Sequence, residues 1–430
     1  MRANTSLINA RETPTAGSSE HRCSVTAGAR TQGLALAAAL TFFAWGIAPA
    51  YAEKHYGPGV TDTEIKLGQT MPYSGPASAF ATIGRAEQAY FDKINAEGGV
   101  NGRKIKLISL DGGFNPAKTV EQTRKLVEGE EVLALFNALG PGQQAIRKYV
   151  NQKKVPLLFV GSGAKEWDDP EHFPWSMGFG PAFEREGRAF GKYIARNYPK
   201  AKVAVLAVNN DLGRDGVNGL REVLAKNPSV EIVSIVSHET MDSTIDSQIV
   251  TLQASGADVL VDWANPPKTA AQVIRKLRDV GWKPVHLLSF VSSSIEAVLV
   301  PAGVDKSIGI VTTGFLKDPS NPAWKDDAAM REYFSWMRRF YPDGNPADSI
   351  NTYAYLAAQT MVHVLKKCGD DLTRENLMRQ AASISHMEAP ILLPGISLST
   401  STTNYRPIRQ IQMLTFDGKQ WVRVGDVFEP

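Results

Sequence analysis

Cysteine is nearly missing from this chain: its 430 residues include only Cys23 and Cys368. Cys23 falls in a leader-like segment described below, which leaves a single thiol and no internal disulfide. Cys368 stands in Lys366-Lys367-Cys368-Gly369, at an expected helix end, and reads as a tolerated thiol. Histidine is sparse as well, at seven residues, and no two have zinc-ligand spacing on one helix. With H-E-x-x-H and C-x-x-C both absent, neither a metal nor a cofactor is expected. The chain lacks G-x-x-x-x-G-K-[ST], and its first strand is not followed by G-x-G-x-x-G, which disfavours a nucleotide enzyme. It also lacks G-x-S-x-G, so no serine is marked as a hydrolase nucleophile. No acid/base set can be assembled, so no catalytic residue is assigned and no enzyme is expected. Basic blocks are missing too. The net charge of +3 is spread along the chain, which argues against a nucleic-acid partner.

Long apolar runs are the last absence, and the nearest approach to one is informative. Arg22 and Arg30 precede an apolar run over 33–47, followed by Pro49 and the small-residue pattern Ala50-Tyr51-Ala52. A basic flank, a short apolar stretch and an A-x-A site make up a secretory signal peptide, with cleavage expected after Ala52. The run falls short of the roughly 20 residues a permanent membrane helix needs. The segment 1–52 holds four basic residues (Arg2, Arg11, Arg22, Arg30) and two acidic ones (Glu12, Glu20), leaving 43 basic against 42 acidic. The mature chain is thus near neutral, and a periplasmic location is expected.

What is present is alternation. Residues 65–71, 104–111, 132–136 and 156–160 read as strands, separated by helical spacing over 79–97, 115–128 and 143–152. Glu97-Gly98-Gly99 suits a helix end, and Asn101-Gly102 a tight turn. A second run follows, with strands at 202–208, 230–236, 258–261 and 285–288 and helices at 181–198, 215–226, 244–254 and 267–280. Apolar strands alternating with amphipathic helices predict an α/β fold of mostly parallel sheets flanked by helices. Two such runs in a chain of this length predict two lobes. The final third predicts long helices over 321–341 and 349–367, a shorter one over 372–381, and a closing hairpin over 409–424.

Small residues recur just past strand ends. They are Tyr73-Ser74-Gly75-Pro76, Gly140-Pro141-Gly142-Gln143, Gly161-Ser162-Gly163-Ala164 and Asn210-Asp211-Leu212-Gly213. Ligands of open α/β sheets bind beyond the carboxyl ends of strands, where helix N-termini offer free N–H groups to an anion. Ordinary βα turns favour the same residues, so composition leaves both readings open.

At these positions the chain resembles the periplasmic solute-binding proteins of branched-chain amino acid importers, related to the leucine/isoleucine/valine-binding protein. The matching stretches include 65–68 with Ser74-Gly75-Pro76, 94–103, Lys153-Lys154-Val155-Pro156, 161–164 and Asp211-Leu212-Gly213. The resemblance implies a type I two-lobed periplasmic binding fold with three crossovers. Lobe one would take 56–179 and 315–390, and lobe two 180–314 and 391–430. It also implies a monomer that delivers a small solute to the membrane permease of an ABC importer. A ligand carboxylate would be held by Gly140, Gly142, Gln143 and Gln144 and by Ser162, Gly163 and Ala164, with Tyr73 and Ser74 nearby. In lobe two the family places an aromatic where this chain has Leu212, and an acid holding the ligand ammonium where this chain has 289–293. Trp263, Asn265 and Phe290 would instead form a flat apolar wall with one amide, although Trp263 also suits plain packing. The expected ligand is therefore an apolar or aromatic carboxylate, with apolar amino acids as the alternative. A soluble sensor serving a chemoreceptor is the alternative of another class.

Overall fold

The computed structural model describes residues 54–430. The leader-like segment, its cleavage site and Cys23 lie outside the described residues. The first α/β run comprises β1 (His55–Tyr56), β2 (Glu64–Met71), α1 (Ala81–Ala96), β3 (Lys104–Asp111), α2 (Pro116–Arg124), β4 (Ala134–Phe136), α3 (Gly142–Gln152), β5 (Leu157–Val160) and β6 (Ser176–Gly178). The second comprises α4 (Phe183–Asn197), β7 (Lys202–Val208), α5 (Asp211–Leu224), β8 (Glu231–His238), α6 (Asp246–Ala254), β9 (Val259–Trp263), α7 (Pro267–Asp279), β10 (Val285–Leu288), the short turns α8 (Val300–Ala302) and α9 (Val304–Ser307), and β11 (Val311–Gly314). Then follow α10 (Ala328–Phe340), α11 (Ser349–Cys368), β12 (Asp371–Leu372), α12 (Arg374–Ala381) and the hairpin β13 (Ile411–Phe416) and β14 (Trp421–Phe428).

Two main sheets result. One is wholly parallel, in the order β3-β2-β4-β5-β6. The other runs β14-β13-β11-β10-β9-β7-β8, parallel from β8 to β11 and antiparallel where the closing hairpin joins. β5 and β9 are buried at every position, as strands covered by helices on both faces must be. On the second sheet α4 and α5 lie unusually close. A Cβ on Gly187 would sit 2.1 Å from the Gly216 carbonyl oxygen, so only glycine permits this approach. The final helices return to the first sheet. Tyr90 of α1 stacks edge-on to Tyr355 of α11 at 4.8 Å, and Trp336 of α10 donates its Nε1–H to the Ala89 carbonyl at 3.3 Å.

The chain passes between the sheets three times: just after β6, after β11, and through 384–410 before β13. Residues 391–408, expected with the second lobe, run as loops tied by isolated bridges, Leu316 to Leu392 and Leu398 to both Met387 and Ile408. Arg406 bonds the Ala164 carbonyl at 2.8 Å and the Gly180 carbonyl at 3.3 Å, joining the third passage to the first.

Two element boundaries differ from expectation for the same reason. The helix expected over 321–341 is a single turn at Pro322–Trp324 followed by α10, because Asp327 caps a new start by accepting from Met330 N at 3.0 Å. Likewise α5 starts at Asp211 rather than at 215, because Asn210 accepts from Leu212 N at 2.9 Å.

Candidate functional site

The segments following β4, β5, β7, β9, β10 and β11 converge on one cavity of about 480 Å³ between the two sheets. Its walls are largely apolar and include the rings of Phe80, Phe114, Phe183, Phe290, Phe315 and Tyr353. Polar groups enter at a few points.

One point is the start of α3. Pro141 occupies the cap position and no side chain caps the helix; the Gln143 N–H turns back to the Gly140 carbonyl at 3.2 Å, and Gln144 follows it at the cavity. Gly142 seats this turn on α2, where a Cβ would stand 2.3 Å from the Thr119 Cβ. Gln143 is 1% exposed; its Nε2 donates to Thr70 Oγ1 at 2.9 Å, and its Oε1 has no partner. Across from it, after β5, Ser162 Oγ accepts from Ala164 N at 3.1 Å and keeps its own proton to donate. Beneath this wall Asn137 accepts from the Tyr353 hydroxyl at 3.2 Å and donates to Glu87. Burial holds the Glu87 carboxyl well above the usual range.

The second sheet's wall is fixed by Glu186 of α4, which is fully buried. Its carboxylate accepts from Trp263 Nε1 at 3.0 Å, Ser289 Oγ at 2.7 Å, Phe290 N at 2.7 Å and Thr313 Oγ1 at 2.9 Å. Burial pushes this carboxyl up to about 7, against the pull of its four donors. Phe290 and Thr313 both face the cavity, so one side chain orients two wall segments. Asp262 does the same for the Asn265 loop, accepting from Ala264 N at 2.8 Å while paired with His286 Nε2 at 3.0 Å.

Charged groups at the cavity are few. Arg214 is paired with Asp211 and lies 3.6 Å from Asp215, so its charge is already matched. Asp318, after β11, accepts from Ser320 N at 2.8 Å and Ser320 Oγ at 2.6 Å through one carboxyl oxygen. Burial, with Asp348 and Glu296 nearby, pushes it up to about 6.

Of the site residues expected from sequence, Gly140, Gln143, Gln144, Ser162, Gly163, Leu212, Asn265 and Phe290 line the cavity. Five others stand behind its wall. Trp263 is 0% exposed, its indole bonded to Glu186 and packed on Phe190, so it supports the wall instead of forming it. Ala164 is buried, with its carbonyl taken by Arg406. Tyr73 turns its hydroxyl to Ser109 at 2.7 Å, and Ser74 bonds Asp111 at 2.6 Å. Gly142 acts through helix position alone. Sequence reasoning missed Phe315, Tyr353 and Asp318. The first and last follow β11, a four-residue strand too short to show a period, and Tyr353 belongs to a helix whose aromatics all had core spacing.

Residues 64–420 match the periplasmic binding protein family. Among curated relatives, Leu/Ile/Val-binding protein homolog 7 of Brucella abortus is 22% identical over 386 residues, covering 87% of this chain and 93% of that one. Among solved structures, a branched chain amino acid ABC transporter from Thermus thermophilus with bound valine superposes with a TM-score of 0.77 at 18% identity, covering 86% and 98%. A solute binding protein of an ABC transporter from R. palustris in complex with benzoate gives 0.71 at 20% identity, covering 84% and 96%. These structures share the fold. The family match covers more than half of the sequence: the chain belongs to the periplasmic binding protein family.

Proposed function

We propose that this protein captures a small organic carboxylate with an apolar or aromatic body and delivers it to the permease of an ABC importer, without altering it. The observation that carries this reading is the start of α3, which no side chain caps, set beside the Ser162 hydroxyl in a cavity whose walls include several aromatic rings and aliphatic side chains. A helix N-terminus favours an anion by about 0.3–1 kcal/mol in the open and up to about 2 kcal/mol where partly buried. Ring burial supplies the remainder, at about 25 cal/mol per Å² of apolar surface. Arg214 is a poor alternative seat, because its pairing with Asp211 would have to be broken first.

The wall segments past Gly180 and Thr313 belong to the passages between sheets, so a ligand touching both lobes favours the closed arrangement. Shifting such an equilibrium from 1:99 to 99:1 takes about 5.5 kcal/mol of differential binding. Hinge closure on capture, export to the periplasm and a monomeric state complete the proposal.

Thermal unfolding of the protein against aromatic acids, medium-chain fatty acids and branched-chain amino acids tests it, since a ligand bound by the native state raises the midpoint. The reading expects aromatic or fatty acids to give the largest rise. A rise with amino acids alone would replace it with the amino-acid alternative.

A further inference from the structure

The polar groups of the cavity are unevenly satisfied, and the unevenness has a sign. Asp318 uses one carboxyl oxygen to accept both Ser320 bonds, while Oδ2 has no hydrogen-bond partner among the described residues. No lysine, arginine or histidine lies within salt-bridge distance of it among those residues. The adjacent Lys317 turns away, with its Nζ 2.7 Å from Asp327 and over the Trp324 ring. The charged groups that act on it, Asp348 and Glu296, are acids as well. Asp348 caps α11, likewise accepting through one oxygen, from Ile350 N at 3.0 Å and from Ser294 Oγ at 2.9 Å, but it stands outside the cavity lining. A second acceptor is also spare: Gln143 Oε1, buried at the start of α3 without a partner. Gln143 Oε1 is sealed within the wall, whereas Asp318 is only half-buried, which leaves Oδ2 accessible at the cavity.

We propose that Asp318 is a specificity-determining residue, selecting carboxylates that also bear a hydroxyl or ammonium donor over plain apolar acids. This deepens the preceding proposal and rests on it: the carboxylate seat at α3 and Ser162 stays, and Asp318 reads a second group on the same ligand. The residue lies outside 289–293, where the resemblance led an ammonium-holding acid to be sought, and Glu186 is already saturated by four protein donors. A plain acid would leave Oδ2 desolvated against hydrocarbon. A donor-bearing ligand gives it a charge-assisted hydrogen bond. Sites built to bond a ligand hydroxyl or N–H reject analogues lacking it far more strongly than apolar pockets discriminate by shape.

The test is calorimetric titration with three ligands of one skeleton. These are 3-phenylpropanoate, phenylalanine with a donor beside the carboxylate, and 3-(4-hydroxyphenyl)propanoate with a donor at the far end. In the unaltered protein, 3-(4-hydroxyphenyl)propanoate should bind at least about tenfold tighter than the plain acid, whereas tightest binding of phenylalanine would keep the role of Asp318 and move the ligand class to the amino-acid alternative. Asp318→Leu should bring the three to near parity with affinity for the plain acid retained. Asp318→Asn keeps an oxygen for Ser320 and turns an amide N–H to the cavity, so any preference for the donor-only ammonium of phenylalanine should be lost, whereas a phenol can still accept from that N–H. Unfolding curves show whether each variant is folded, and Asp318→Ala takes the place of leucine if leucine is not tolerated. If no ligand of the three binds, the carboxylate seat itself fails. If the plain acid binds as tightly as the others, or the preference survives both substitutions, the seat stands and the role of Asp318 is overturned.

Discussion

Glu186 and Asp318 are two carboxyls within the same stretch of wall, and their surroundings differ in an instructive way. Glu186 stands behind the cavity with every acceptor position used by Trp263, Ser289, Phe290 and Thr313. Asp318 stands at the cavity with Ser320 on one oxygen and, among the described residues, no hydrogen-bond partner on the other. Burial raises both, to about 7 and about 6. Their shifts therefore say little about their roles, and their partners say more. Glu186 is saturated from within, as a buried structural carboxyl must be, and Asp318 keeps the capacity that the proposal assigns to a ligand donor.

Removing the saturated carboxyl should do the most damage. Glu186→Ala leaves the Phe290 N–H and the Trp263 indole N–H buried without an acceptor, at about 1–3 kcal/mol each. Denaturant unfolding should show a loss of about 3 kcal/mol or more, and a change below about 1 kcal/mol would place Glu186 among ordinary buried groups. Next comes the seat of α3. Gly142→Ala drives a Cβ into Thr119, and overpacking of this kind costs about 1–3 kcal/mol. It should also displace the helix start and weaken carboxylate binding, so unchanged affinity would separate the seat from α3. Trp263→Phe deletes one bond to Glu186 and should cost about 1–2 kcal/mol while ligand affinity holds. A large affinity loss with normal stability would return Trp263 to the cavity wall.

The remaining two effects are smaller. Because the folded Glu186 pKa lies above its ordinary value of 4.5, the native state binds more protons than the unfolded chain between about 4.5 and about 7. Its contribution therefore makes stability fall as pH rises through that window and level off above it. Glu186→Gln should flatten this component relative to the unaltered protein in pH-resolved unfolding. Asp318→Asn should change stability least, by no more than about 1 kcal/mol in either direction, because a single hydrogen bond contributes about that much.

The difference between the two carboxyls also marks how far sequence reading reaches. Strand and helix alternation is local, so the two α/β runs were legible from residue spacing. Cavity residues such as Gln143, Ser162, Asn265 and Phe290 were legible because they follow strand ends, where the fold itself directs side chains toward ligands. Trp263 was not. It ends β9, which is buried on both faces and so offers no alternation to tell the cleft from the core. Glu186 reads from sequence as an ordinary acid in the first turn of α4, and its four donors come from residues 77 to 127 positions away. Asp318 escaped because nothing in 315–320 has a period. Only the position of β11 beside β10 and β13 brings that segment to the cavity.

The most direct test compares calorimetric titration of an aromatic acid that shifts the unfolding midpoint with that of its methyl ester. If the start of α3 and the Ser162 hydroxyl hold an anion, the acid binds measurably and the ester, with the same ring and no charge, binds far more weakly. Equal affinity for acid and ester would mean that the cavity grips the apolar body alone, contradicting the account.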